Sequence, residues 1–406
     1  MTDYEIKLPG ELLSSLMSEN TGFAQLIGSV LNQVLEAQAT EQIGADRYER
    51  NADRGGYRNG VRPRVLYTRV GPVTLLVPQF RDGAFSTAIF GRYQRSEQAF
   101  VLAIMEMVLN GVSTRKVTKI TEELCGSRFS KSTVSQLCTG LDARVRAFNE
   151  RPLGSFPFLI IDAMYCKSRT DYDGVVSKAA LMISAVNAEG NREILGVRIG
   201  DSESDSFWRE TFAWLKDRGI KGVAFVTSDD HRGMVKALNR SFQGVMWQRC
   251  QVHFMRNVLS FTPARHKVAM AAGLKRIFSS DTITEARAKA VELAEQLEKR
   301  ADRAIECLEH GLEDALAVYA LPSKYRRRLK STNMQERLIQ EVRRRERVIR
   351  IFPNEDAVLR LIGALLAEFH EEWQCRKYLD MAEYHEWNAQ RKADEKERNV
   401  VPMSET

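Results

Sequence analysis

The sequence has no long apolar run. Nowhere does it reach the ~18 consecutive hydrophobic residues that a membrane-spanning helix requires, so no such helix is expected. The first residues, MTDYEIKLPGELLSSL, lack a basic stretch followed by an apolar core, so no signal peptide is expected either. Cysteine is sparse: six residues (Cys125, Cys138, Cys166, Cys250, Cys307 and Cys375) are scattered over 406, which is no disulfide framework and fits a reducing cytosol. There is no internal repeat and no low-complexity tract, which argues against a solenoid or a linker-dominated chain. Neither sign of charge dominates: 60 Lys and Arg face 53 Asp and Glu, for a net charge of +7 and a pI of about 9.0.

The small basic excess is concentrated. RYERNADRGGYRNGVRPR (47–64) is one cluster, and SKYRRRLKSTNMQERLIQEVRRRERVIRIF (323–352) is the other, with five arginines between 343 and 350. Two such clusters point to a polyanion partner, although a solvated helix face can also be basic.

At this length, several domains are expected. Apolar spacing predicts helix over 11–43, with a break near Thr21-Gly22, then a loop over 51–62 and a hairpin around Gly71-Pro72. Three helices follow in 96–148. The first ends at Asn110-Gly111, the second is capped by Ser113 and stopped by Gly126, and the third is capped by Ser130 or Ser132. They read as a helix-turn-helix or as a plain helical bundle. In the first case Lys131 and Gln136, near the start of the third helix, are candidates for DNA contact. From 156 onward the pattern becomes β-β-β-α-β-α-β, the order of a ribonuclease-H-like α/β core, interrupted over 263–320 by a stretch of helix formers. The expected domains are 1–95 (helical and hairpin region), 96–150 (helix-turn-helix-like), 154–262 with 321–375 (catalytic core), 263–320 (all-α insertion) and 388–406 (flexible tail).

FPFLIIDAMYCK runs four apolar residues straight into Asp162, and VAFVTSDD ends in Asp229 and Asp230. Each acid could simply open a turn. In the ribonuclease-H-like order, however, the first and fourth strands are neighbours, so Asp162 and Asp229 would approach one another. Like charges repel, and a hard cation such as Mg²⁺ or Mn²⁺ would neutralise them. A pair of ions would need a third acid. Glu336 is the candidate because Gln340, Arg343 and Arg347 follow it on one helix face, with Arg344 beside them. Those three arginines are candidates for phosphate contact. Glu336 could instead pair only with arginines, and Glu341 is a rival. Asp201, Glu203 and Asp205 read as a helix start, and His231 as a helix cap. Cys250 with His253 and Cys307 with His310 repeat a Cys-x-x-His spacing that could formally make a zinc site, but a shared helix face explains each pair as well.

IIDAMYCKSR, SKAALMISAVNAEGNREILGVRIGDSESDSFW, VTSDDHRG, WQRCQVHFMRNVL and STNMQERL with RRRERVIRIFPNEDAVLRL together resemble bacterial insertion-sequence transposases of the mutator type, in the right order over about 40–380. GGYRNGVRPR and NGVSTRKV fit the same pattern. The resemblance implies a DDE-type DNA transposase with Asp162, Asp229 and Glu336 as its metal-binding triad. It also implies two Mg²⁺ or Mn²⁺ ions, terminal inverted repeats and target DNA as partners, and a homodimer on DNA. The Cys250/His253 pair belongs to the family pattern and the 307/310 pair does not. The chain departs from the pattern at Ile339, where asparagine is usual, and at Met334-Gln335, where Pro-Leu is usual. Two other readings remain: a non-catalytic DNA-binding regulator derived from a transposase, and another ribonuclease-H-like nuclease such as a junction resolvase.

Overall fold

The structure, a computed structural model, describes residues 6–12, 22–49, 54–68, 70–81, 85–87, 89, 98–125, 129–170, 174–201, 204–374 and 377–399. The break expected near Thr21-Gly22, the stop at Gly126, Glu203 and the last seven residues of the tail lie largely or wholly outside them. The chain divides into two units, Met1–Gly140 and Leu141–Thr406.

In the first unit, helix α1 (Gly22–Ile43) packs on an antiparallel hairpin of β1 (Arg58–Thr68) and β2 (Gly71–Phe80). A two-stranded sheet leaves unpaired backbone at each edge. Asn32 of α1 satisfies part of it, donating to the Thr74 carbonyl at 3.1 Å and accepting from the Leu76 N–H at 2.7 Å. The turn lies just before Gly71, and Gly71-Pro72 begins the second strand. Within 58–62, expected as loop, the hairpin pairs Arg58 with Phe80, Val61 with Pro78 and Arg62 with Val77. The partner strand overrides the low strand propensity of Asn59 and Gly60 through an irregularity at that point. Helices α2 (Gln98–Leu109), α3 (Thr114–Cys125) and α4 (Lys131–Cys138) gather around Phe100, Ile104, Val117, Phe129 and Val134. Ser113 bonds the Lys116 N–H at 3.3 Å, and Ser130 caps α4 by accepting from the Thr133 N–H. The third helix is shorter than its sequence pattern suggests. It gives way to a 3₁₀ turn at Thr139–Leu141, and the following helix, α5 (Asp142–Glu150), belongs to the second unit.

The second unit is built on five strands: β3 (Phe158–Thr170), β4 (Gly174–Val186), β5 (Arg192–Gly200), β6 (Phe225–Ser228) and β7 (Met246–Arg249), in the spatial order β5-β4-β3-β6-β7. The β3-β4-β5 pairs are antiparallel, and β6 and β7 run parallel to β3. Helix α6 (Asp205–Asp217) crosses between β5 and β6, and α7 (Arg232–Ser241) between β6 and β7. Side chains alternate across a strand. Leu159 and Ile161 therefore enter one core with Phe212, Leu215 and Leu238 of α6 and α7, while Phe158 and Ile160 enter the opposite core with Tyr325, Leu329 and Met334.

After β7 come α8 (Gln251–Phe261), α9 (Lys267–Phe278), α10 (Ile283–Leu297) and α11 (Asp302–Leu316), which make a separate core nucleated on Phe254 and Val258. The chain returns through α12 (Ser323–Leu329), α13 (Asn333–Ile349) and α14 (Glu355–Gln374). The segment read as a tail from 388 is helical to Asn399 within α15 (Ala382–Asn399), where the Trp387 indole N–H bonds the Ala320 carbonyl and Arg391 bonds that of Gly244, each at 2.8 Å. Among the described residues, no helix is long and apolar enough to cross a membrane.

Candidate active site

Asp162 is a half-buried residue of β3, on the same strand face as Phe158 and Ile160 and thus on the side of Met334 and α13. The β3–β6 pairing ends at Ile160 opposite Thr227. Two residues further along each strand stand Asp162 and Asp229, so parallel pairing delivers both carboxylates to the same end of the sheet. Asp162 accepts from the Ala163 N–H at 2.9 Å, and Asp229 from the Asp230 N–H at 2.8 Å.

The neighbours of Asp229 are engaged elsewhere. Asp230 pairs with Arg249 at 2.9 Å, and His231 caps α7 by accepting from the Met234 N–H at 3.4 Å. Asp201 pairs with Lys178, which also holds Glu355 at 3.0 Å, and Asp205 lies in the first turn of α6. Glu341 is taken by Arg345 and, at 3.4 Å, by Arg344.

Glu336 lies in the first turn of α13 and faces α8. His253 Nε2 and an Arg256 Nη1 each stand 3.3 Å from Glu336 Oε1, and His253 Nδ1 lies 3.8 Å from Asp229 Oδ2. Three contacts fix this approach. The Thr332 N–H and hydroxyl both donate to Cys250 Sγ at 3.4 Å, the Gln251 N–H donates to the Lys330 carbonyl at 3.0 Å, and the Thr227 hydroxyl donates to the Leu329 carbonyl at 2.6 Å. The sequence segment 329–332 is thereby tied to the ends of β6 and β7, and the next turn carries Glu336.

Burial pushes the Asp162 carboxyl up to about 6. His253 and the Ala163 N–H oppose that shift, and the Asp229 and Glu336 charges add to it. His253 is raised to about 9, first by the adjoining Cys250 sulfur and then, against its burial, by Asp229 and Asp162, so it carries a proton at neutral pH. Burial alone would raise the Cys250 thiol, but His253 and Thr332 outweigh it and hold the thiol below its ordinary value. The site thus has more carboxylate than cation. Among the described residues, no three His, Cys, Asp or Glu side chains are grouped tightly enough to hold a metal ion. His253 and Arg256 occupy Glu336 instead.

The remaining candidates lie on exposed surface. Arg343, Arg344 and Arg347 project from α13, whereas Arg345 turns inward over Phe369. Lys131 and Gln136 are exposed on α4, in the other unit. The two Cys-x-x-His pairs are engaged separately. His310 Nδ1 lies 2.9 Å from the Glu306 carbonyl, and Cys307 packs in the insertion core, while Cys250 and His253 face Thr332 and the acids. Sequence reasoning did not assign His253, Arg256 or Thr332 to the carboxylates. The available signal was the position of Cys-x-x-His directly after the strand next to Asp229.

The chain matches the family model described as Transposase, Mutator family, over residues 7–376. It is 43% identical over 373 residues to the transposase for insertion sequence element ISRM5 of Rhizobium meliloti (strain 1021), spanning 91% of this chain and 94% of that protein. It is 41% identical over 389 residues to the transposase for insertion sequence element IS256 in transposon Tn4001 of Staphylococcus aureus, spanning 94% and 99%. Against the transposase for insertion sequence element IS1081 of Mycobacterium tuberculosis (strain ATCC 25618 / H37Rv), identity is 36% over 360 residues, spanning 88% and 86%.

Proposed function

The chain belongs to the Mutator family of transposases, and from that premise we propose that it cuts DNA at the ends of its insertion sequence and joins the freed 3′-hydroxyl to a target strand, in a divalent-metal-dependent reaction centred on Asp162, Asp229 and Glu336. The observation that carries this reading is the convergence of the three acids on His253 at one end of β3 and β6. The strand order, with an antiparallel β3-β4-β5 meander beside parallel β6 and β7, supports a ribonuclease-H-like core.

The donor set fits Mg²⁺ or Mn²⁺: it offers carboxylate oxygens, and Asp162 is destabilised as an anion by burial and like charge, which a cation relieves. Asp162, Asp229 and Glu336 would hold the ions. When bound, a pair of such ions supplies Lewis-acid polarisation of the scissile phosphate and lowers the pKa of the attacking hydroxyl. The chain does the rest. Strand pairing fixes two of the acids, and the 329–332 segment sets the position of the third. Protonated His253 and Arg256, each 3.3 Å from Glu336 Oε1, would bring positive charge beside the acids, where the scissile phosphate would lie. Arg343, Arg344 and Arg347 hold phosphates along α13. Helices α2–α4 act as a helix-turn-helix, with Lys131 and Gln136 toward the terminal repeat. Two ends have to be joined, so the working form is a dimer on DNA.

The test is to incubate the full-length protein with labelled element ends and Mg²⁺ or Mn²⁺ and to map nicks. The expected product carries a 3′-hydroxyl at the element end and disappears with Asp162→Ala. End binding without nicking under any divalent cation would make the chain a DNA-binding regulator instead.

A further inference from the structure

The catalytic reading leaves the first basic cluster, 47–64, unused. Beyond α1 the chain turns through Gly44 and makes a tight turn in which the Glu49 N–H bonds the Asp46 carbonyl at 3.2 Å. Within that turn Tyr48 has φ 69°, a left-handed backbone at a turn position usually given to glycine or asparagine. Its side chain buries almost no surface to offset that strain, because Tyr48 is 91% exposed. An aromatic ring held in solvent on a strained backbone is a candidate contact for a ligand.

The surroundings say what. Tyr48 borders a cavity of about 310 Å³ that is also lined by Arg47, Arg54 and Arg58. Arg58 is already neutralised by Glu36 at 2.9 Å. Among the described residues Arg54 bonds carbonyls, those of Gly56 and Glu49, and lies 4.9 Å over the ring of Tyr57, which is 59% exposed. Arg47 lies 6.0 Å from the Tyr48 ring centroid and makes no ion pair among the described residues. Two guanidinium groups with no carboxylate partner among the described residues therefore flank two exposed aromatic rings. Guanidinium binds phosphate, and an exposed ring binds a base only by its face. Base faces are covered in a duplex and free in an unpaired strand.

We infer that the surface formed by Arg47, Tyr48, Arg54 and Tyr57 is a binding site for an unpaired DNA nucleotide, with Tyr48 stacking on the base and Arg47 and Arg54 holding the adjoining phosphate. This rests on the transposase reading for DNA as the ligand, and it adds that the protein grips single-stranded DNA with residues other than the three acids.

The experiment is fluorescence anisotropy with the full-length protein in EDTA, which removes any dependence on cleavage. The probes are labelled oligo(dT) of about twelve nucleotides, within the usual range of single-strand sites, and a blunt duplex of equal length. Tyr48→Ala should weaken oligo(dT) binding about tenfold, as loss of a base stack does, and change duplex binding by less than about twofold. Tyr48→Trp should restore it. Tyr48→Gly relieves the backbone, so it should melt no earlier than the parent yet bind oligo(dT) as poorly as Tyr48→Ala. Arg47→Gln should weaken binding and flatten its salt dependence. Oligo(dT) affinity unchanged in Tyr48→Ala, or lost equally for both probes, overturns the proposal. A chain that fails to nick but loses oligo(dT) in this way sinks the cleavage reading and leaves this one standing.

Discussion

The two sides of the central sheet treat polar groups in opposite ways. On the antiparallel side, the outer edge of β5 is closed by single partners. Asn149 both donates to the Val197 carbonyl at 3.0 Å and accepts from its N–H at 3.1 Å, and His370 Nδ1 accepts from the Ile194 N–H at 3.3 Å. On the parallel side, Asp162, Asp229 and Glu336 compete for His253 and Arg256, and Gln335 beside them is 0% exposed with neither amide atom bonded. Matched partners make the first side a source of stability. Surplus carboxylate makes the second a place where charge is waiting to be neutralised, at some cost to the fold.

The largest test of that contrast compares an acid of the surplus with a neighbouring acid that has a matched partner. Asp162→Ala or Glu336→Ala should lower nicking by several kcal/mol, at least about a hundredfold, if these acids hold the ions. Asp230→Ala removes only the Arg249 partner and should mainly lower the melting temperature. Equal losses of nicking from Asp230→Ala and Asp162→Ala would erase the distinction.

The next test is pH. Burial, with the Arg151 charge adding to it, lowers His370 from 6.5 to about 4, and the residue is 6% exposed, packed against the Phe148 ring. Between those values the unfolded chain binds the proton and the folded chain does not. The contribution to stability is therefore full above about pH 6.5 and disappears as pH falls toward 4, by up to about 3 kcal/mol. Denaturant titrations across that window should show the slope, and His370→Gln should flatten it.

Smaller effects sharpen the other side. Gln335→Leu replaces an unbonded buried amide by a similar apolar volume and should stabilise by about 1–3 kcal/mol, visible as a higher melting temperature. Thr332→Val removes one donor to Cys250 and should cost about 1 kcal/mol. Its signature should be a lower kcat with unchanged DNA affinity, restored by Thr332→Ser.

Much of this was legible in the sequence because the signals are local. The apolar runs ending in Asp162 and Asp229, the helix formers of 263–320 and the caps at Ser113 and Ser130 depend on residues within a few positions of one another. What was hidden is set by distant partners. Arg58 joins a strand because Phe80 lies opposite, and α4 stops short because Val145 and Phe148 pack with the second unit. His253 meets Glu336 only once 80-odd intervening residues have folded back. The strain at Tyr48 has no compositional mark, since tyrosine is an ordinary residue in an extended loop.

That fold-back carries one more consequence. The Gln251 N–H bonds the Lys330 carbonyl at 3.0 Å beside the Thr332–Cys250 and Thr227–Leu329 contacts, so the point where the chain leaves the sheet is clasped to the point where it rejoins. Everything between is an excursion whose two feet touch. The entropy of closing such an excursion grows only with the logarithm of its length, by about 0.6 kcal/mol for each doubling. Helices could be added between α9 and α10 while the spacing of Asp229 and Glu336 stays the same, because the clasp, with the Ala315 carbonyl of α11 held by Gln248 and Gln251, sets that spacing and the contour of the chain does not.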